Sequence, residues 1–204
     1  MAVITIVAEY TMTIQKYWIG QCMTLLKNLR FIVLLLWSGY ASAAVLVIND
    51  PNLIPPAGKS LSYLEDPSGK LSLKEFLSTD SQLRLQTSDA SSPNFGFTRS
   101  AYWFEIELKN KSSVSDYMIS ISPSYLDKVD VYLLVDDKLV QHLSMGDSLP
   151  FDEREIKHRN FLIPVELDTN QVKRVIFRAT TTTEFSVHFD ISQNINFWQQ
   201  DMVE

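Results

Sequence analysis

AYWFEIELK, residues 101–109, alternates two kinds of side chain with a period of two. Successive side chains of a β-strand point to opposite faces of its sheet. One face would carry apolar residues, namely Tyr102, Phe104, Ile106 and Leu108. The opposite face would carry Trp103, Glu105 and Glu107. This pattern predicts a strand with one buried and one solvated face.

The same period recurs in five later stretches, which are 117–122, 128–135, 158–167, 173–180 and 184–191. Short polar segments such as the Asp136-Asp137 pair separate them and predict turns. Six or more such strands at this spacing favour an all-β, jelly-roll-like β-sandwich. We place the sandwich core at residues 99–192.

A lead-in segment, residues 45–98, is expected to pack on the sandwich. It contains LSLKEFLS, residues 71–78, in which apolar residues recur at helical spacing. Ser72 lies three residues before Glu75, the arrangement of a capping box. We therefore predict a short N-terminal helix there.

The first 44 residues have the composition of an export signal preceded by extra sequence. Residues 31–37 form an apolar run after Arg30, and Ala41-Ser42-Ala43 gives the small-x-small pattern that signal peptidase requires. Translation from Met23 would give an ordinary signal peptide, so we interpret residues 1–22 as an over-called start and predict a periplasmic product. The alternative is an inner-membrane anchor through residues 31–49.

Composition excludes several classes of function. The formal charge of −6 argues against a nucleic-acid partner, because phosphate backbones reward clusters of Lys and Arg. The single cysteine, Cys22, precedes the predicted cleavage site. No G-x-S-x-G motif is present, and the three histidines show no paired metal-ligand spacing. We predict no catalytic residue, no metal site and no cofactor, and so no enzyme.

A binding surface is easier to place. Trp103, Tyr132 and Arg178 fall on the polar side of their strands, beside Glu105. An aromatic ring flanked by charged groups can stack on a sugar ring and hydrogen-bond its hydroxyls. The alternative is that Trp103 packs under a loop or under the lead-in segment. For His158, in the KHRN segment, a surface loop position and a ligand contact both stay open.

Five blocks of sequence, in order, resemble the type-2 extracellular domain of the 7TMR-DISM bacterial receptors. They are YLEDPSGKLSLKEF, FGFTRSAYWFEIELKN, LDKVDVYLL, GDSLPFDEREIKHRNFLIPVEL and VIFRATTTTEFSVHFDI. The resemblance covers roughly residues 46–198. It implies a periplasmic jelly-roll domain, similar to carbohydrate-binding modules, that senses sugars or related small molecules. The family's pattern falls on Trp103, Tyr132, Arg154 and Arg178, while Glu105 replaces a frequent Arg.

The candidate ligand-binding residues are therefore Trp103, Glu105, Tyr132, Arg154, His158 and Arg178. The leading functional hypothesis is a ligand-sensing receptor domain. Its expected partners are a small-molecule or carbohydrate ligand, the membrane part of the receptor and a second copy in a homodimer. The alternative is a free-standing periplasmic carbohydrate-binding or scaffold module. Residues 193–204 are interpreted as a tail truncated before a membrane helix, because an aromatic pair, Phe197-Trp198, precedes the end of the sequence.

Overall fold

The computed structural model describes residues 45–202. The strands in this range are β1 Val45–Ile48, β2 Ser62–Asp66, β3 Gln86–Thr87, β4 Asn94–Phe97, β5 Ala101–Asn110, β6 Asp116–Ser122, β7 Lys128–Val135, β8 Lys138–Met145, β9 Phe161–Glu166, β10 Val172–Thr180, β11 Glu184–Ser186 and β12 His188–Gln193. The α-helices are α1 Leu73–Phe76, α2 Thr79–Gln82 and α3 Asn194–Asp201. The predictions for the start codon, the signal peptide and the 31–49 anchor depend on residues outside this range.

Two main sheets form the domain. The larger has seven strands in the order β3-β2-β5-β10-β7-β8, and β1 pairs in parallel with the end of β5. The smaller has the order β12-β6-β9, and β4 pairs with β11 in a separate two-stranded ribbon. The all-β sandwich with a short N-terminal helix is confirmed. The sheet also begins upstream of residue 99, because β2 pairs with β5 from Ser62 to Asp66.

The main core lies between the two sheets. The side chains that the period of two assigns to one face of β5 are all buried there, together with Ile119 and Ile121 of β6. The Phe177 ring of β10 stacks on Phe189 of β12 at a centroid distance of 5.6 Å. This contact joins the sheets directly.

The stretch 184–191, predicted as one strand, forms two. Glu184–Ser186 pairs with β4, and His188–Gln193 pairs with β6, so the chain changes sheets at Val187. Phe185, Val187, Phe189 and Ile191 are nevertheless all buried. The alternation of apolar residues therefore continues while the pairing strand changes from β4 to β6. The alternation alone does not reveal this change.

The outer face of the seven-stranded sheet, which points away from the smaller sheet, is partly covered. Residues 67–85, here called the cover segment, carry α1 and α2 across it. The predicted capping box at Ser72 and Glu75 is present. A second apolar cluster lies under the cover segment and consists of Leu64, Phe76, Trp103, Leu134 and Ile176. The prediction that this face of β5 is solvated is therefore wrong for Trp103 and Glu105, each 1% exposed.

The predicted turn at Asp136-Asp137 joins β7 to β8 in a hairpin. The φ angles of these residues are 49° and 58°. Positive φ at both central residues is the type I′ geometry, whose twist matches that of the flanking strands. Asp tolerates this region better than most residues because its short side chain can hydrogen-bond locally.

Helix α3 follows β12 without a linker and packs against β12 and β6. Residues 194–201, which belong to the segment interpreted from the sequence as a C-terminal tail, thus pack on the folded domain. Among the described helices, none combines the length and the apolar character needed to cross a bilayer.

Two glycines with positive φ allow a matched test of the backbone. Gly146 has φ +154°, and a Cβ placed there would lie 2.1 Å from the carbonyl oxygen of Asp127. Gly96 has φ +66°, and a Cβ there would meet nothing within 4 Å. We expect Gly146→Ala to lower the free energy of unfolding by well over the roughly 1–2 kcal/mol of left-handed strain expected for Gly96→Ala. Urea unfolding followed by circular dichroism measures both; equal losses would contradict the clash at Gly146.

Candidate functional site

The six predicted site residues separate into two groups in different parts of the domain. Trp103 and Glu105 of β5, Tyr132 of β7 and Arg178 of β10 share the outer face of the seven-stranded sheet. Trp103 and Arg178 are direct partners in the β5–β10 register. Arg154 and His158 lie in the segment before β9, beside α3. The structure therefore does not bring all six together.

Trp103 packs under the lead-in segment, as the alternative to a binding role predicted. Its ring stacks on Phe76 of α1, with centroids 4.9 Å apart and ring planes 14° apart. Tyr132 is also nearly parallel to Trp103, at 6.1 Å, and stacks in turn on His142 at 4.5 Å. Trp103 is thus part of a row of aromatic rings across the sheet. Its Nε1 has no hydrogen-bond partner among the described residues.

Glu105 is bound to the neighbouring strand by an ion pair. Arg174 Nε donates to Glu105 Oε1 at 2.6 Å, and Arg174 Nη2 donates to Gln82 Oε1 of α2 at 2.9 Å. Burial lowers the affinity of Arg174 for its proton, but Glu105 more than offsets this, so the pKa of Arg174 is raised. Glu105 Oε2 has no hydrogen-bond partner in residues 45–202.

Arg178 and Tyr132 lie at the more accessible part of this face. Arg178 Nη2 donates to the carbonyl oxygen of Gly69 in the cover segment at 2.8 Å. Burial and the nearby Asp130 raise the pKa of the Tyr132 hydroxyl, and Arg178 opposes the shift. Both residues are half-buried. They therefore hold the cover segment and the aromatic row rather than an open binding surface.

Arg154 and His158 form a connected pair. Arg154 Nη1 donates to the carbonyl oxygen of His158 at 3.0 Å, and its guanidinium lies between the rings of Phe151 and Phe161 at 5.0 and 4.8 Å. The His158 Nδ1 atom accepts from the Asn160 backbone N–H at 2.9 Å. Its Nε2 is therefore the protonated nitrogen and donates to Asp201 Oδ1 of α3 at 3.0 Å.

A groove of about 370 Å³ lies beside this pair, between α3, the outer face of the three-stranded sheet and the turn after β1. Its walls are mostly polar and combine carboxylates, amides, hydroxyls and one guanidinium. The polar members are Asp190, Asp201, Asn52, Asn160, Asn196, Gln200, Ser120, Ser192 and Arg159. The apolar members include Pro51, Ile54 and Phe197.

Asp190 is one of two acidic groups that line the groove. Partial desolvation raises the pKa of its carboxyl, and the neighbouring His188 opposes that rise. No side chain or backbone group within residues 45–202 donates a hydrogen bond to this carboxylate. The Asp190 side chain is exposed, so its oxygens are open to solvent and to a ligand.

The alternation in residues 184–191 places Asp190 on the outward face of its strand but does not mark it as part of a site. The groove depends on α3 folding back over β12, and the sequence after residue 193 has no strong helical period. The one available signal was the run of amide side chains at 193, 194 and 196 beside Phe197. Across residues 45–202, no set of three or more His, Cys, Asp or Glu side chains is placed to hold a metal ion.

Comparisons with known proteins match one family, and the distant structural likenesses include a beta-glucosidase and a carbohydrate-binding module. Residues 58–193 match the family described as 7TMR-DISM extracellular 2. The chain resembles the beta-glucosidase from Kluyveromyces marxianus, solved in complex with glucose, with 10% identity and a TM-score of 0.40 over 75% of this chain and 18% of the enzyme. It also resembles CsCBM6-3 from Clostridium stercorarium, solved in complex with cellobiose, with 13% identity and a TM-score of 0.25 over 50% of this chain and 82% of that module.

Neither structural likeness is close enough to transfer a ligand or an activity. The chain spans less than a fifth of the length of the beta-glucosidase. No curated protein sequence matches it.

Substitutions at Trp103 test whether the outer face of the seven-stranded sheet forms part of the hydrophobic core. We expect Trp103→Ala to lower the free energy of unfolding by about 3–5 kcal/mol, because it leaves a cavity between Phe76 and Tyr132. Trp103→Phe keeps a ring in the stack and removes the unpartnered N–H, so it should cost less than about 1.5 kcal/mol. Chemical denaturation of the full chain gives both values. A Trp103→Ala variant as stable as the parent would contradict the core assignment.

Asp66 anchors the start of the cover segment and gives a pH-dependent test. Burial acts to raise the pKa of Asp66, but hydrogen bonds from Ser68, Gly69 and Leu71 outweigh it and lower the pKa from 3.8. A carboxyl whose pKa is lower in the folded state stabilises the fold at pH values above its unfolded-state pKa. This stabilisation is lost as the pH falls through the folded-state pKa.

We therefore expect Asp66→Asn to be less stable than the parent at pH 7, with the difference shrinking as the pH is lowered from 5 to 3. Thermal unfolding across this range measures it. The exposed Asp89→Asn is the matched control and should show no such convergence.

Proposed function

The chain belongs to the 7TMR-DISM extracellular 2 family, and on that premise we propose that it is the ligand-sensing domain of a bacterial membrane receptor, acting on the outer side of the cytoplasmic membrane. We propose further that it binds a carbohydrate or a related small polar molecule in the groove beside α3. Its role is recognition, without chemical conversion of the ligand.

The groove with the Asp190 carboxylate on its wall is the observation that carries the choice of site. This side chain is exposed and accepts no hydrogen bond from residues 45–202, so its oxygens are open to a ligand. A ligand hydroxyl or amine would donate to it.

The remaining walls support the same class of ligand. Amide side chains can donate and accept at once, as a hydroxyl does, and Asn52, Asn160 and Gln200 are placed on three sides of the groove. Phe197 adds an apolar patch and is fixed edge-on to His158 at 5.6 Å. A volume of about 370 Å³ is at the lower end of the range for small-molecule sites. It suits a monosaccharide or disaccharide better than a polymer.

The groove also offers a route from ligand to signal. Asp201 and Asn196 of α3 line it, and their hydrogen bonds to His158 and Asn52 attach the helix to the domain. A ligand that binds these side chains competes for the same donors and acceptors. It would thereby change how tightly α3 is held, which is the differential contact that a sensor needs.

Isothermal titration of the full chain against glucose, cellobiose, galactose and a set of amino acids tests the proposal. We expect at least one sugar to bind and to raise the melting temperature, because a ligand specific for the native state adds stability by mass action, about 2.7 kcal/mol at a hundredfold excess over Kd. Binding of amino acids but of no sugar would overturn the carbohydrate assignment.

Asp190→Asn separates binding from stability. The raised pKa means that the ionised carboxylate destabilises the fold at pH 7, so the amide should raise the melting temperature. The same change should weaken sugar binding at least tenfold, because a charge-assisted hydrogen bond is lost. Asp89→Asn, on an exposed loop, should alter neither. A variant that is more stable and binds as well as the parent would exclude Asp190 from the site.

A further inference from the structure

Strand β8 forms a long free edge of the seven-stranded sheet. It pairs with β7 on one side, and no strand within residues 45–202 pairs with its other side. At eight residues it is the longest strand that forms a sheet edge in this range. A free edge presents unpaired backbone N–H and C=O groups, and these groups can template pairing with another strand.

The other sheet edges are short or protected. β3 has two residues, β1 has four, and the strands of the β4–β11 ribbon have four and three. β9 contains Pro164, which has no N–H, and the carbonyl oxygen of Glu166 at its end accepts from Lys173 Nζ at 2.6 Å. Residues Ala57–Ser60 lie against β12, and α3 packs on the same strand.

β8 lacks this protection. It contains no proline, and Lys138, at the hairpin end, is its one Lys, Arg, Asp or Glu residue. Leu139 and Val140, which follow, are 51% and 56% exposed. A β-bulge can twist an edge away from pairing. The bulge in the β7–β8 pairing falls at Val140, next to the hairpin, and leaves residues 141–145 in regular register.

The register identifies the backbone groups on the free edge. The hydrogen bonds of an antiparallel strand alternate between its two sides. The Asn110 N–H donates to the Gln171 carbonyl across β5 and β10, and this bond fixes the alternation through β10 and β7 to β8. Leu143 therefore bonds to β7, while the N–H and C=O groups of His142 and Ser144 point to the free side.

The two ends of this edge carry opposite charges. Lys138 begins β8, Asp147 lies two residues after its end, and both are exposed. Within residues 45–202 neither side chain has an ion pair or a hydrogen bond. No Lys, Arg, Asp or Glu lies between them in the sequence. Antiparallel pairing of two identical strands brings the Lys138 end of each beside the Asp147 end of the other, so the edge is complementary to itself.

We propose that the free edge of β8 pairs with the same edge of a second copy of this chain, antiparallel about a two-fold axis at Leu143, so that two seven-stranded sheets join into one continuous sheet. His142 of each copy then exchanges two backbone hydrogen bonds with Ser144 of the other, and the two Leu143 side chains meet at the axis. The other register that the alternation allows at the centre of the strand would oppose two imidazoles instead of two apolar side chains.

The contact is limited, so we expect a reversible dimer. Residues 141–145 span about 17 Å as an extended strand. Interfaces of small area are typical of transient complexes. The pairing does not depend on a ligand in the groove beside α3, because that groove lies on the other sheet.

Sedimentation velocity of the full chain over a range of concentrations tests the proposal, and we expect a monomer–dimer equilibrium. Lys138→Glu should weaken dimerisation roughly tenfold, because both end contacts change from attraction to repulsion. Asp147→Lys should do the same. The double variant restores opposite charges and should dimerise as the parent does. Lys111→Glu, exposed and following β5, controls for the change in net charge and should leave the equilibrium unchanged.

A second pair of variants tests the backbone pairing. His142→Pro removes an N–H that points to the free side and leaves the bonds to β7 in place, which is where a sheet tolerates proline. We expect this variant to keep the circular dichroism spectrum of the parent and to sediment as a monomer. His142→Ala is the matched control, because it also loses the ring stacked on Tyr132 but keeps the N–H. It should still dimerise.

Each outcome decides for or against the β8 edge. A chain that sediments as a monomer at every concentration would overturn the proposal. A dimer that neither His142→Pro nor the single charge reversals weaken would also overturn it, because its interface would lie elsewhere. If His142→Pro fails to fold, the charge series decides: recovery in the double variant supports the pairing, and a double variant as weak as the single ones contradicts it.

Discussion

Burial of β5 on both faces is the constraint on which the rest of the domain depends. Eight of its ten residues are buried, and the other two are half-buried. Its inner face supplies the core between the sheets, and its outer face lies under the cover segment. With β1 and β2 on one edge and β10 on the other, the strand has no side left for solvent.

That constraint also explains how far the sequence could predict the fold. The period of two correctly assigned the inner residues of β5 and β12, because a sandwich core imposes its pattern on each strand. The spacing of Ser72 and Glu75 also correctly indicated the capping box, because this motif is local in sequence. It could not show that Trp103 and Glu105 are covered, because alternation reports which residues share a face and not what packs against them. The change of sheet at Val187 could not be predicted for the same reason. The alternating apolar side chains stay buried whether the chain pairs with β4 or with β6.

The candidate site was less predictable than the fold. Stacking rings and paired charges at Trp103, Tyr132 and Arg178 have the composition of a ligand site, yet this composition also suits a covered interface. The groove draws on Asn52 and on Asp190 and Asn196, which lie 138 and 144 residues after it, and no periodicity links such positions. What identifies Asp190 is its place on the wall of this groove, and this becomes visible only in three dimensions.

Arg174 connects three parts of the molecule. Its guanidinium binds Glu105 in the sheet, Gln82 in the cover segment and Asp137 in the type I′ turn, at 2.6, 2.9 and 3.4 Å. A substitution at any one of these positions changes how much the others contribute to the free energy of unfolding. The effects of such substitutions on stability will therefore not add. For the divergence of the sequence, this means that the four positions form one epistatic unit. A lineage that replaces the arginine must adjust the turn, the strand and the cover together.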